Sequence, residues 1–325
     1  MRTLTRLSCP DLLSVQDLSP AEVEGILDLA GLVKSRPEEF RSALAGRHLV
    51  LIFEKPSLRT RVTFEVGMAD LGGRALFIDQ THAPLGGREK LCDIARNLER
   101  WVDGIVLRTF THQTVSEMAA HAAIPVINGL SDREHPCQAL GDYFTLQERF
   151  TDLRRVKLAF VGDGNNVCHS LLLTAALLGS HIAVATPPGY EPAREIVAAA
   201  ADAATRTGAH LELTHDWQAA VTGADAVYTD VWASMGQESE AEQRRAVFAP
   251  YQVNEGLMAR AAPHAVFLHC LPAHRGEEVT DAVIDSPQSG VYDQAENRLH
   301  VQKAILLLLL GNGQRRTARL RGARG

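Results

Sequence analysis

Six short segments of the 325-residue chain bring together side chains suited to chemistry. Ser57-Leu58-Arg59-Thr60-Arg61 stands where an apolar run hands over to a helical pattern. Backbone N–H groups at a helix N-terminus attract anions, and the helix dipole adds to that attraction. Two hydroxyls and two guanidiniums in the same turn suit a phosphate-like group, because Arg donates bidentately. An N-cap Ser with exposed Arg side chains explains the residues equally well. The glycines and Gly-Lys-Ser/Thr ending of a Walker loop are absent. His135-Pro136-Cys137-Gln138 is a second such start, with Pro favoured at the first helical position and His135 and Gln138 able to donate to a carbonyl or phosphate oxygen. Its plainer reading is a capping His beside a buried Cys.

Gly162-Asp163-Gly164-Asn165-Asn166 follows a strand and opens a helix, as a dinucleotide-binding turn does. Val167 occupies the third glycine's place and no acid closes the strand at 183–185, so NAD is disfavoured. Asn166 suits an amino-acid headgroup instead. Asp230-Val-Trp-Ala-Ser234-Met235-Gly236 and His269-Cys270-Leu271-Pro272 each follow a strand. An Asp and a Cys at neighbouring strand ends can orient and desolvate an amine; the alternative for Cys270 is an inert core thiol. His269-Cys270 is not a metal-ligand spacing. Glu296-Asn297-Arg298 adds another helix-terminal Arg.

These segments need a scaffold that presents strand ends. The chain exceeds the usual span of one hydrophobic core, which implies two domains. Strand-like runs at 48–53, 75–78, 104–107 and 125–127 alternate with helical patterns at 60–71, 91–102 and 115–123. In the first helix Val62, Val66 and Ala69 recur at i, i+4 and i+7. A second block begins after the polar stretch 151–157, with strands at 156–162, 181–185, 211–214, 226–230 and 265–269, helices at 170–178 and 192–207, and a last apolar helix at 295–310. This alternation predicts an α/β fold: two domains, each a parallel β-sheet flanked by helices, with the active-site cleft between them. The expected division is residues 1–150 and 151–295, with the C-terminal helix and tail, 296–325, packing back on the first domain.

Apolar residues make up 46% and charged residues 22%, the net charge is −6, and the pI is about 6.1. A disordered or fibrous chain is excluded. With no basic excess, a nucleic-acid partner is not expected, and an anionic ligand must be held by a local Arg cluster. The five Arg of 315–324 read as a solvated end. Five Cys without a Cys-x-x-Cys pair imply reduced thiols and a cytoplasmic setting. The N-terminus has no secretory h-region, and the apolar run Ala304–Leu310 is too short to cross a bilayer, so no membrane association is expected.

Taken in order, Ser-x-Arg-Thr-Arg, His-Pro-Cys-Gln, Asp-x-x-x-Ser-Met-Gly, His-Cys-Leu-Pro and Glu-Asn-Arg resemble the aspartate/ornithine carbamoyltransferase family, in its ornithine branch. Each tetrapeptide is weak alone; five in order, from about Leu12 to Leu310, are specific. The resemblance implies transfer of the carbamoyl group of carbamoyl phosphate to the δ-amine of L-ornithine, giving citrulline and phosphate. It implies that Ser57, the Leu58 amide, Arg59, Thr60 and Arg108 hold the phosphate. His135, Gln138, Arg298 and the backbone at Cys270-Leu271 would hold the carbamoyl end. Asn166, Asp230, Ser234 and the Met235 amide would bind the α-amino and carboxylate end of ornithine, with Cys270 beside the reacting amine. Catalytic roles then fall to Cys270, Asp230, Arg298, His135 and Arg108, with no cofactor and no metal. The family also implies a homotrimer whose active sites are shared between subunits.

Two positions depart from the pattern. Leu58 replaces a common Thr, as in an acetylornithine-specific branch that this chain is similar to there, but the backbone amide remains. Pro84 stands where relatives carry Gln or His that reaches a neighbouring subunit's carbamoyl phosphate, and Pro has no N–H to donate. His82, two residues away, is the expected substitute. The alternatives are a carbamoyltransferase for another amine, such as N-acetylornithine or putrescine, and a non-catalytic regulatory paralogue. Intact Arg59, His135, Asp230 and Cys270 argue against the paralogue.

Overall fold

The computed structural model describes residues 5–82, 85–233 and 238–311. The strands are β1 (His48–Phe53), β2 (Arg74–Asp79), β3 (Gly104–Arg108), β4 (Val126–Leu130), β5 (Lys157–Val161), β6 (His181–Ala185), β7 (His210–Thr214), β8 (Ala226–Thr229) and β9 (Val266–His269). The helices are α1 (Pro20–Ser35), α2 (Leu58–Asp70), α3 (Leu91–Trp101), α4 (His112–His121), α5 (Pro136–Arg149), α6 (Asn166–Leu178), α7 (Arg194–Thr207), α8 (Trp217–Val221), α9 (Ala241–Phe248), α10 (Glu255–Met258), α11 (Asp281–Ile284) and α12 (Val291–Leu310).

Contacts divide the chain into two compact units, one ending at Cys137 and resuming at Arg298, the other spanning Gln138–Asn297. The first unit holds a four-stranded sheet in the order β2-β1-β3-β4, every pairing parallel. The second holds a five-stranded sheet in the order β7-β6-β5-β8-β9, again parallel throughout. Two parallel-sheet α/β domains flanked by helices are thus observed, as the alternation predicts. The reason lies in the strands. β1, β3 and β5 are nearly continuous apolar runs buried on both faces, the signature of a parallel sheet covered by crossover helices. β2 alternates instead and lies at an edge.

In the first unit, Val50, Ile52, Ile105 and Leu107 pack against Leu91, Ala95 and Leu98 of α3 and Val115 and Met118 of α4. The unit's share of α12 is buried through Val301, Ala304, Ile305 and Leu306. A side chain at Gly104 would meet Leu310 at 3.0 Å and one at Gly67 would meet Lys303 at 3.4 Å, so these glycines permit the close approach of α12. In the second unit, α6 is buried almost throughout, while Ala159, Val161, Val227 and Phe267 of the sheet join Val221, Leu257 and Val283 on the other face.

The boundary expected near residue 150 lies in the stretch that joins α5 to β5, and contacts assign α5 from Gln138 onward to the second unit. The cause is that α5 is tied into the second unit: Asn297 donates to Thr145 and Glu148, Gln294 donates to Asp142, and Arg149 pairs with Asp293. α6 starts at Asn166 and α12 at Val291, four residues earlier than expected in each case. α1 was missed, though Ser19, Pro20 and Glu22 form a capping box with Pro at the first helical turn. α8, α10 and α11 have five residues or fewer, too few to display a period.

Gly164 shows how tightly the second unit's first loop is built. Its N–H donates to the Tyr190 carbonyl at 2.9 Å, and a Cβ there would lie 2.3 Å from Pro192 N and 2.6 Å from Tyr190 O. These are backbone atoms that cannot swing aside. Gly164→Ala is expected to destabilise the chain by about 2–3 kcal/mol, as overpacking does, read as a lower urea midpoint. An unchanged midpoint would show that the 190–192 backbone can yield.

Candidate active site

In each unit the candidate residues collect at the carboxyl ends of adjacent strands, where open α/β sheets bind ligands. β1 ends at Phe53, which stands in register with Arg108, the last residue of β3. β4 lies beside β3 and leads through a turn to His135. Three neighbouring strands thereby deliver Ser57–Thr60, Arg108 and His135 to one edge.

Ser57 caps α2, its hydroxyl accepting the Thr60 N–H at 3.3 Å. Leu58 is 73% exposed, so only its backbone can serve an anion here. Thr60 is buried, and its hydroxyl accepts from Arg298 Nη2 at 3.1 Å. That bond fixes the guanidinium of Arg298, a residue only 2% exposed. Arg108 and His135 are buried as well. Burial, reinforced by the guanidiniums of Arg298, Arg108 and Arg59, holds the His135 imidazole well below its usual pKa. His135 is therefore neutral at pH 7 and keeps one ring N–H to donate. Three guanidiniums around a neutral donor form a site of concentrated positive charge, an arrangement chemically suited to an anion.

Cys137 follows the plainer reading. It is buried, its thiol faces the Asn128 carbonyl at 3.7 Å, and burial pushes its pKa up to about 12. Gln138 falls in the second unit and donates to Asp142 at 2.7 Å. Asp142 also accepts from Gln294 at 2.6 Å, and Gln294 in turn accepts the His269 N–H at 2.9 Å. Gln138 thus belongs to a buried chain of hydrogen bonds that reaches the end of β9.

In the second unit β5, β8 and β9 are adjacent in the sheet, and their ends carry the 162–166 loop, Asp230 and His269-Cys270. Asp230 is the hub: it accepts from Asn165 Nδ2 at 2.7 Å, from the Val231 N–H at 2.8 Å and from the Cys270 thiol at 2.9 Å. Asp230 and Cys270, forty residues apart, are brought together as the sequence reading expects. Asn165, which bonds to Asp230, also caps α6, and Asn166 is the first residue of that helix. Ser234, Met235 and Pro84 lie outside the described residues.

Several polar residues were invisible to motif reading. The Leu271 N–H donates to His269 Nδ1 at 2.8 Å, so the ring hydrogen sits on Nε2, which faces Glu278 at 3.1 Å. His269 and Glu278 are buried, and Glu278 also accepts the His274 N–H. The dyad fixes the backbone at Leu271, whose φ of +57° is unusual for a branched residue. Arg244 pairs with Asp163 at 2.9 Å and donates to the Trp232 carbonyl at 2.9 Å. Burial raises Asp163 to about 6 against the pull of Arg244, with Asp230 and Glu240 adding to the rise. Glu54 accepts the Leu85 and Phe110 N–H groups, and Lys55 covers the Phe110 ring at 4.7 Å. Local sequence offers no sign of these pairings, except that Glu54 and Lys55 directly precede the Ser57 segment. Asp230, His269 and Cys270 place donor atoms within 4.8 Å of one another, a spacing a metal could use, but both ring nitrogens of His269 face protein partners.

Comparison with known proteins bears on both units. Residues 10–148 match the carbamoyl-P binding domain, and 154–309 the Asp/Orn binding domain, of aspartate/ornithine carbamoyltransferase. The ornithine carbamoyltransferase of Carboxydothermus hydrogenoformans is 55% identical over 303 residues, covering 93% of this chain and 97% of that protein. The anabolic ornithine carbamoyltransferase of Pyrococcus furiosus is 52% identical, covering 93% of this chain and 96% of that protein. A solved structure of ornithine carbamoyltransferase from that organism superposes with a TM-score of 0.91 at 50% identity, covering 97% of this chain and all of that one.

The depressed pKa of His135 has a stability consequence. The unfolded chain takes up a proton near pH 6.5 that the folded chain refuses, so stability falls as pH drops below that value and is fully present above it. His135→Asn is expected to flatten the decline in urea midpoint between pH 7 and 5 relative to the parent. Parallel declines in parent and variant would mean that His135 titrates normally in the fold.

Proposed function

The chain belongs to the aspartate/ornithine carbamoyltransferase family, and from that membership we infer its reaction. It transfers the carbamoyl group of carbamoyl phosphate to the δ-amine of L-ornithine, yielding L-citrulline and phosphate. The observation that carries the assignment most directly is the neutral, buried His135 set among Arg59, Arg108 and Arg298 beside the capped start of α2.

We propose the following division of labour. Ser57, the Leu58 amide, Arg59, Thr60 and Arg108 take the phosphate, whose charge the guanidiniums meet. His135 and Arg298 donate to the carbamoyl oxygen, with the backbone at Cys270-Leu271 and Gln138 assisting. Asn166, Asp230, Ser234 and Met235 take the amino-acid end of ornithine. The first unit then serves as the carbamoyl-phosphate domain and the second as the ornithine domain.

An alkyl amine is mostly protonated at pH 7, and only its neutral form attacks. Asp230 and Cys270 align ornithine, with Cys270 beside the δ-amine, and favour loss of that amine's proton. The nitrogen attacks the carbamoyl carbon, the developing oxyanion is met by Arg298 and His135, and the C–O bond to phosphate breaks with both electrons leaving on phosphate. Positioning and preorganised charge supply the acceleration, with no covalent intermediate on the protein.

We further propose a homotrimer. Leu58, Val62 and Val66 of α2, at i, i+4 and i+8, and Leu76 and Ile78 of the edge strand β2 are exposed apolar side chains in the first unit. Such a face is a poor free surface and a good subunit interface. His82, which is exposed, is the residue we assign to a neighbouring subunit's carbamoyl phosphate. The five free cysteines suit a reducing cytoplasm. Among the described residues no helix is long and apolar enough to cross a membrane.

The deciding experiment offers carbamoyl phosphate with ornithine, N-acetylornithine, aspartate, putrescine or agmatine in parallel. Citrulline from ornithine is expected, with Arg298→Gln lowering kcat/KM by about 10²–10³-fold, as loss of an oxyanion donor does, and Asp230→Asn lowering it by about 10²-fold through lost alignment of ornithine. Product with another amine only would move the specificity, and none with any would favour the regulatory paralogue. For the assembly, light scattering should return three times the 35.4 kDa chain mass, and Leu76→Glu should shift the chain to a monomer. His82→Ala should raise the KM for carbamoyl phosphate; an unchanged KM would remove His82 from the shared site.

A further inference from the structure

We propose that the segment Asp11–Asp17 is a positioning element of the anion-binding half-site, acting on His135 through Glu134. The segment closes the open edge of the first sheet. Leu12 pairs in parallel with Ile127 of β4, its N–H donating to the Val126 carbonyl at 3.0 Å and its carbonyl accepting the Asn128 N–H at 2.8 Å. Asp11 Oδ1 accepts the Val126 N–H, and the Leu13 carbonyl accepts from the Asn128 side chain, both at 2.9 Å. The chain then turns at Ser14, which caps a short 3-10 turn over Val15–Asp17, with Asp17 closing a capping box.

Glu134 meets that turn. It is fully buried, and both of its carboxyl oxygens are used there: Oε1 accepts the Ser14 hydroxyl and Oε2 accepts the Val15 N–H at 3.0 Å. Its backbone is fixed from the other side, where the Glu134 carbonyl accepts the Ser131 N–H at 3.0 Å. A carboxyl held in the interior is costly unless its partners are in place. The docked 11–17 segment therefore holds the Glu134 carboxyl in place. The next residue is His135, about 3.8 Å further along the Cα trace, and its imidazole is the neutral donor among Arg59, Arg108 and Arg298. Segment, turn and imidazole form one continuous series of contacts within the first unit. A donor that must meet a small oxyanion tolerates little displacement, since a shift of about 1 Å costs on the order of 10²-fold.

The inference rests on the carbamoyl-phosphate reading of this half-site, and the test separates the two. Ser14→Ala, Glu134→Gln and Glu134→Ala are made in the full chain. Glu134→Ala is expected to raise the KM for carbamoyl phosphate about tenfold and to leave the KM for ornithine within about twofold, the second unit being untouched. Ser14→Ala should show the same pattern at about threefold, one of two hydrogen bonds being lost. Glu134→Gln keeps an acceptor oxygen and should recover most of the affinity. The NMR resonances of the His135 imidazole should shift in Ser14→Ala, the mildest variant. Both KM values rising together, or a lowered melting temperature with unchanged kinetics and an unmoved His135 resonance, would overturn the proposal. If the parent chain makes no citrulline, the functional reading fails, and the His135 resonance alone decides the positioning claim.

Discussion

Concentrating cations without an anion is electrostatically unfavourable, and the first unit is organised around doing so. Arg59, Arg108 and Arg298 act together on one buried imidazole. Each guanidinium arrives from a different part of the chain: the first turn of α2, the end of β3, and α12. None would stay there by mutual attraction. They are held by the covalent geometry of parallel strands that must end at one edge, and by bonds such as Arg298 to Thr60. A dianion would relieve the repulsion they store, so an arrangement that is costly alone favours the ligand that the proposed reading assigns to it.

His135 is kept neutral by the same charges. A protonated imidazole would be a fourth cation, useful for attraction but poorly matched to a carbonyl oxygen that must be polarised only as the reaction proceeds. The guanidiniums therefore do two things: they set the protonation state of the neighbouring donor, and they supply the positive charge to which the proposed reading assigns the phosphate. Moving any one of them would change both.

Much of this was legible in the sequence, and the limit has a physical cause. Ser57, Arg59 and Thr60 are contiguous, His135 and Gln138 open a helix, and Asp230 and Cys270 follow strands, so local pattern exposes them. The strands themselves were legible for the same reason, since a run such as Leu-Val-Leu-Ile in β1 can hardly be anything but a covered strand. What pattern does not expose is who holds the holders. Glu278 is nine residues from His269, Arg244 is eighty-one from Asp163, Gln294 is 152 from Asp142, and Glu134 is 120 from Ser14. Those pairs exist only once the sheets are assembled, and a lone Glu or Arg in the sequence looks like any solvated charge. The Asn165/Asn166 ambiguity is of a related kind. Either residue could cap a helix or face a ligand, and a one-residue shift in where α6 begins decides between them.

The second half-site uses the opposite strategy from the first, and the chemistry requires it. An amine has to arrive as a cation and react as a neutral nucleophile. Asp230 already accepts three donors, from Asn165, Val231 and Cys270. A carboxylate offers about four lone-pair directions, so among the described residues one remains for the ammonium that the proposed reading brings. Asn165 and the Val231 amide are fixed by the loop and helix they begin, whereas the Cys270 thiol is a weak donor and the easiest to displace. On the proposed reading, the hub takes an ammonium of ornithine while the thiol yields, and keeps its orientation because the two stronger donors stay in place. A site with Asp230 alone would hold the cation too freely, and one with a third strong donor would leave it no room.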